Sequence, residues 1–197
     1  VGTGYRVTDI GLPRAEAAAH AVARARAVRS VGRPRPPDLV ILTGTAAWDP
    51  TAALRLVTRR VPHLAVRARE TTTVVGPLVL PGRTSCLRCA DLHRTDVDPA
   101  WPRVAAQLYA RPPRNSVTGA QLAAGLAAEH ALAHLTGTHR QPDDHPAAGA
   151  TLELDPAAGT LVRRSWPAHP RCNCGTLGTP VLSALPAPGP LTTAAAA

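Results

Sequence analysis

Val74-Val75-Gly76-Pro77-Leu78-Val79-Leu80-Pro81-Gly82-Arg83-Thr84-Ser85-Cys86-Leu87-Arg88-Cys89 decides how this chain is read. A run rich in β-branched residues ends at a Pro-Gly turn, and the turn delivers two cysteines spaced as CxxC. The sequence holds four cysteines, and the remaining two, Cys172 and Cys174, form a CxC pair far down the chain. Two thiols on one tight turn can bind a metal together, and a second close pair completes a tetrahedral thiolate set. Cys86, Cys89, Cys172 and Cys174 are therefore read as the ligands of a structural zinc clip. The competing readings are ordinary buried thiols or a CxxC redox pair. Haem attachment fails because Ala90, not histidine, follows Cys89.

Outward from this stretch the pattern is that of an α/β chain. Thr71 to Leu80 reads as sheet, folded as a hairpin about Gly76-Pro77, and His63 to Arg67 reads as a strand before it. Asp49-Pro50 is a helix start, and Ala53, Leu54, Leu56 and Val57 give that helix one apolar face. Asp38-Leu39-Val40-Ile41-Leu42 is a short apolar run of the kind found in covered parallel strands. Strand, helix and strand in this order predict a right-handed βαβ crossover and a parallel sheet. An earlier helix is expected from Pro13 to Arg29, and later ones from Trp101 to Ala110 and from Val117 to Thr136, the last capped by Asn115-Ser116 and ended by Gly137. Thr151–Asp155 and Thr160–Arg164 alternate about an Asp-Pro-Ala-Ala-Gly turn and predict a β-hairpin. The fold class expected is α/β: a partial Rossmann-like parallel sheet with flanking helices, a C-terminal β-hairpin and the zinc clip. Residues 1–175 are read as one domain and 176–197, rich in Pro and Ala, as a disordered tail.

The formal net charge is +9, and every basic residue is arginine, since the sequence contains no lysine. That excludes a P-loop lysine and a Schiff base. Phe and Met are absent and Ala, Pro and Arg abound, which is the bias of a GC-rich coding sequence. The charge alone therefore does not single out a nucleic-acid partner, and almost no aromatics interleave the arginines of 24–35 and 55–60. His130 and His134 stand four apart on one predicted helix but lack the intervening glutamate of a metalloprotease site, so they are read as ordinary helix histidines. No stretch approaches eighteen apolar residues and no export leader opens the sequence, which predicts a cytoplasmic protein with reduced thiols.

The order of these parts resembles the C-terminal two-thirds of the E1-like family that includes ThiF, MoeB and HesA. The resemblance is carried by Gly11-Leu12-Pro13-Arg14 opening a helix, by the buried strand from Leu39 ending at Thr43-Gly44-Thr45, by Pro81-Gly82-x-x-x-Cys86-x-x-Cys89, and by the hairpin leading to the second cysteine pair. More narrowly, Gly76 to Gly82, Asp91-Leu92-His93-Arg94, Asp98-Pro99-Ala100-Trp101-Pro102 and the His169-Pro170-x-Cys172-x-Cys174 ending resemble the divergent E1-like proteins of azole-forming peptide clusters. Those proteins partner a YcaO-type cyclodehydratase and help present a leader peptide to it. The resemblance implies the family's fold, its structural zinc and a homodimer. It places Arg14 at a degenerate nucleotide-binding position and Gly44 at the position of the family's metal-facing aspartate. The family's Gly-rich nucleotide loop would lie before Val1, so ATP and Mg are expected only with an upstream segment. The function implied is a non-catalytic scaffold, or a partner of the leader peptide or the cyclodehydratase, in ribosomal peptide maturation. The alternatives are a fragment of an active ThiF-type adenylyltransferase and a basic zinc module for nucleic acid.

Overall fold

The computed structural model describes residues 4–24, 36–43, 47–69, 71–109, 116–139, 141 and 144–175. Gly44, the helix extension over 25–29 and the tail from 176 onward lie outside them, as does the side chain of Arg14. The elements are α1 (Arg14–Arg24), β1 (Val40–Leu42), α2 (Pro50–Thr58), β2 (His63–Arg69), β3 (Thr72–Val79), α3 (Leu87–Val97), α4 (Trp101–Leu108), α5 (Val117–Leu135), β4 (Ala150–Asp155) and β5 (Thr160–Ser165).

Local chemistry sets several helix starts. Asp49 caps α2 by accepting the Thr51 amide proton at 2.8 Å, with Pro50 in the first turn where no amide is needed. Ser116 caps α5 through the Gly119 amide at 2.9 Å. Helix α3 was not legible in the sequence. Its residues are mostly polar (Arg88, Asp91, His93, Arg94, Thr95, Asp96), so it has no strong apolar stripe; it buries Leu87, Cys89 and Ala90 in its first turn, packs Leu92 on the same core and is tied further along by its polar side chains.

The five strands form one sheet in the order β1-β2-β3-β4-β5. The β1–α2–β2 crossover is present and its strands pair in parallel, Ile41 opposite Leu64. The other three pairings are antiparallel, so the sheet is mixed rather than parallel. Strand orientation depends on the connections, and β2 returns into β3 through a tight hairpin between Arg69 and Thr72 rather than through a second helix.

The expected hairpin about Gly76-Pro77 is a single strand instead. Gly76 sits inside β3 at φ +101°, and a Cβ there would collide with the Ala150 carbonyl oxygen of β4. The two residues bend the strand without reversing it. Regular pairing with β4 ends at Val75 opposite Leu152, and beyond the bend the Leu78 amide donates to the Ala147 carbonyl at 2.8 Å.

Alternation along β2 and β3 sends side chains into two cores. Leu64, Val66, Val75 and Leu78 meet Ala123 and Ala127 of α5, whose small residues at four-residue spacing let the helix lie close to the sheet. Thr73 Oγ1 donates to the Gly119 carbonyl of α5 at 3.1 Å. Gly125 of the same helix faces open space. On the opposite face Ala65 and Val79 meet Trp48, Ala53 and Leu87 together with Cys86, Cys89 and Cys172. Leu64 is fully buried, and Leu64→Ala is expected to lower stability by about 3 kcal/mol in chemical denaturation, because the helix and sheet backbones cannot close the cavity.

Candidate metal centre

The loop between β3 and α3 is a built turn. The amides of Arg83 and Thr84 donate to the Leu80 carbonyl, the Thr84 hydroxyl accepts the Leu80 amide at 2.8 Å, and Gly82 takes the left-handed conformation at φ +80°. The chain then enters α3 at Cys86, an extended residue at the N-cap, and Cys89 follows one turn in. Both sulfurs thus face the same side. The second pair arrives on the loop after β5. That loop is fastened to the first by Ser85 Oγ, which donates to the Trp166 carbonyl, and to the entry of β4 by the Trp166 amide, which donates to the Gly149 carbonyl at 2.7 Å.

The structure brings all four predicted cysteines together, their sulfurs lying within 4.8 Å of one another. Cys86 Sγ is 3.8 Å from that of Cys89 and 3.6 Å from that of Cys172, while Cys89 and Cys174 are 3.6 Å apart. A metal bonded to four sulfurs at about 2.3 Å in a tetrahedron places neighbouring sulfurs about 3.8 Å apart. The set therefore fits a tetrahedral thiolate ion. It does not fit disulfides, whose sulfurs would be about 2 Å apart, and none of the four is in a disulfide.

Electrostatics points the same way. Without a cation, Cys174, Cys89 and burial push the Cys86 thiol well above the ordinary thiol range. Burial, with the neighbouring cysteines, pushes Cys172 up to about 12. Cys86 and Cys172 so placed do not become thiolates at neutral pH unaided, whereas a bound divalent ion inverts this balance. The sign is definite for the metal-free form: the raised folded pKa of Cys86 and Cys172 gives a contribution that is fully present below about pH 8.5, the unfolded value, and is lost progressively as the pH rises toward the folded values. A set of four thiolates leaves no position for water, so the chemistry it can supply is cross-linking β3–α3 to the C-terminal hairpin.

Two further features were not singled out from the sequence. His93, Asp96 and His169 form a second close group of candidate ligands, within 4.8 Å of one another. Beside the cysteines runs an apolar cleft of about 470 Å³ between α2, α3 and α4, walled by Trp48, Leu54, Leu92, Trp101 and Tyr109. His130 and His134 do not share a candidate metal group among the described residues. His130 is buried with its ring against His145, and burial lowers its pKa. Arg14 opens α1, far along the chain from the cysteines.

A mixed sheet with a β1–α2–β2 crossover, one covering helix on one face and a cysteine-bearing helix on the other, is an α/β architecture with likenesses among solved structures. The Escherichia coli enzyme MccB, in complex with AMPCPP and the peptide MccA, superposes with a TM-score of 0.63 at 13% identity, covering 88% of this chain and 54% of that one. The microcin C7 biosynthetic enzyme MccB in complex with N-formylated MccA gives 0.62 at 13% identity, covering 88% and 55%. A heterocyclase in complex with substrate and cofactor gives 0.52 at 21% identity, covering 71% of this chain and 21% of that one. The chain thus spans about half the length of the MccB chains, and at these identities the likeness is one of fold. No family model and no curated protein matches the chain. No described helix is long and apolar enough to cross a membrane.

Proposed function

We propose that this chain is an E1-like protein whose metal centre is a structural zinc held by Cys86, Cys89, Cys172 and Cys174, and that it acts without catalysis as a scaffold in ribosomal peptide maturation. The supporting observation is the quartet itself: four thiols at tetrahedral spacing, on a fold shared with the microcin C7 biosynthetic enzyme MccB. Zinc is the ion chosen because four thiolates in a tetrahedron suit a soft, redox-inert cation. The partner is a precursor peptide, through its leader, or the cyclodehydratase that modifies it; MccB and the heterocyclase were each solved with a peptide or substrate bound. Homodimerisation, a reduced cytoplasmic setting and a tail free of the domain from 176 onward belong to the same reading.

A second reading has its own support. MccB has been solved with ATP, and this chain spans only 53% of that MccB chain. If the remainder of such a protein precedes Val1, the whole would adenylate a carboxyl terminus. ATP–pyrophosphate exchange separates the two readings when run with the precursor peptide of the same gene cluster. The scaffold reading predicts no exchange above background together with saturable binding of the fluorescein-labelled leader peptide in anisotropy. Exchange dependent on the peptide would replace it with the enzyme reading. The absence of leader binding, with no capture of the cyclodehydratase either, would remove the scaffold. Binding to duplex DNA that weakens steeply with salt would instead favour the basic nucleic-acid module.

A further inference from the structure

The His93, Asp96 and His169 cluster has the make-up of a second metal site, yet its hydrogen bonds give it another use. The Arg171 amide donates to His169 Nδ1 at 3.0 Å. A backbone amide can only donate, so the ring proton sits on Nε2, which is 2.7 Å from Asp96 Oδ2 and donates to it. Both ring nitrogens of His169 are thereby committed. The Arg171 guanidinium pairs with the other Asp96 oxygen. His93 Nε2 lies 3.0 Å from the Pro167 carbonyl, which requires a donor, so this nitrogen too is engaged. The edge of one ring packs against the other, the His93 and His169 centroids being 4.7 Å apart.

The placement of these bonds is what gives them meaning. Asp96 and His93 stand on α3, the helix that carries Cys86 and Cys89 at its start. His169 and Arg171 stand on the loop that carries Cys172 and Cys174, and the His169 carbonyl accepts the Cys172 amide at 2.9 Å. His169 is 3% exposed although it comes from a loop, so its ring is a plug rather than a surface group. The imidazole therefore fixes the backbone just before Cys172, whose own amide is held by the His169 carbonyl, and ties that loop to the helix that presents the other two thiols.

We infer that Asp96 and His169 form a positioning brace that holds the CxC loop against α3, so that the four sulfurs are gathered before the metal arrives. This rests on the metal-clip reading above. Groups that orient ligands in this way are typically worth about 10- to 100-fold in metal affinity when removed. Asp96 is half exposed, so its variants fold even where His169→Ala does not.

The test is a zinc titration of the full-length reduced protein in competition with a chromophoric chelator, paired with the thiolate-to-cobalt absorption of the cobalt-loaded form. The brace predicts that wild type binds one ion, and that His169→Ala and Asp96→Ala still bind one with an unchanged cobalt band, about 10- to 100-fold more weakly. Asp96→Asn, which keeps an oxygen to accept the Nε2 proton, recovers most of that loss. Equal affinity in Asp96→Ala and wild type would overturn the brace while leaving the clip intact. A stoichiometry of two in wild type that drops to one in His169→Ala would overturn it in favour of a second metal site. Absence of any bound ion in wild type would instead fail the clip reading itself.

Discussion

Cys86→Ser with Cys89→Ser abolishes metal binding and removes the cooperative unfolding transition of the C-terminal hairpin, leaving the β2–β3–α5 core to unfold by itself. The expectation follows from where the thiols stand. Cys86 and Cys89 lie at the start of α3, and Cys172 and Cys174 on a loop that is otherwise tied to the rest of the molecule by single hydrogen bonds, among them those with Ser85, His93, Asp96, Gly149 and Thr151. A structural four-thiolate ion contributes on the order of 10 kcal/mol of apparent binding free energy that a serine pair cannot supply. Denaturation followed by near-ultraviolet dichroism of Trp166 and Trp101 reads the loss directly. A double variant that unfolds at the wild-type midpoint would show that the thiols are ordinary core residues.

Gly76→Ala is the second large effect, and its origin is steric. At φ +101° an L side chain is already strained, and here the added carbon meets a backbone carbonyl of the neighbouring strand. A flexible side chain could turn aside, but the Ala150 carbonyl belongs to β4 and cannot move without shifting the strand that leads to the hairpin. A cost of about 3 kcal/mol is expected from the two effects together. Because Gly76 supplies none of the four sulfurs, this variant should lose stability in urea while keeping its metal stoichiometry. Gly125→Ala, which meets open space on a helix, is the control and should be neutral or slightly stabilising.

The two variants also mark what sequence could and could not convey. The cysteine quartet was readable because metal chemistry constrains spacing locally: CxxC and CxC each fix two sulfurs on one turn whatever the surrounding fold. Helices α2 and α5 were readable from Asp49-Pro50 and Ser116, and the β4–β5 hairpin from alternation about Asp155, because each of these signals is local too. Gly76-Pro77 misled for the converse reason. That pair ordinarily marks a turn, and only the presence of β4 alongside reveals that the glycine is needed for close approach within a strand. Antiparallel return of β2 into β3 was likewise invisible, since the intervening residues encode a reversal only weakly. Helix α3 carries too few apolar residues to show a stripe. The Asp96–His169 pair lies 73 residues apart, and nothing in either neighbourhood announces the other.

The central claim is tested most directly by measuring metal content in freshly purified protein kept reduced throughout, by inductively coupled plasma mass spectrometry against protein concentration from amino-acid analysis. The tetrahedral spacing of Cys86, Cys89, Cys172 and Cys174 predicts one zinc per chain, with all four thiols unreactive to a thiol reagent until the zinc is chelated. Protein that is folded, fully thiol-reactive and free of metal would contradict it.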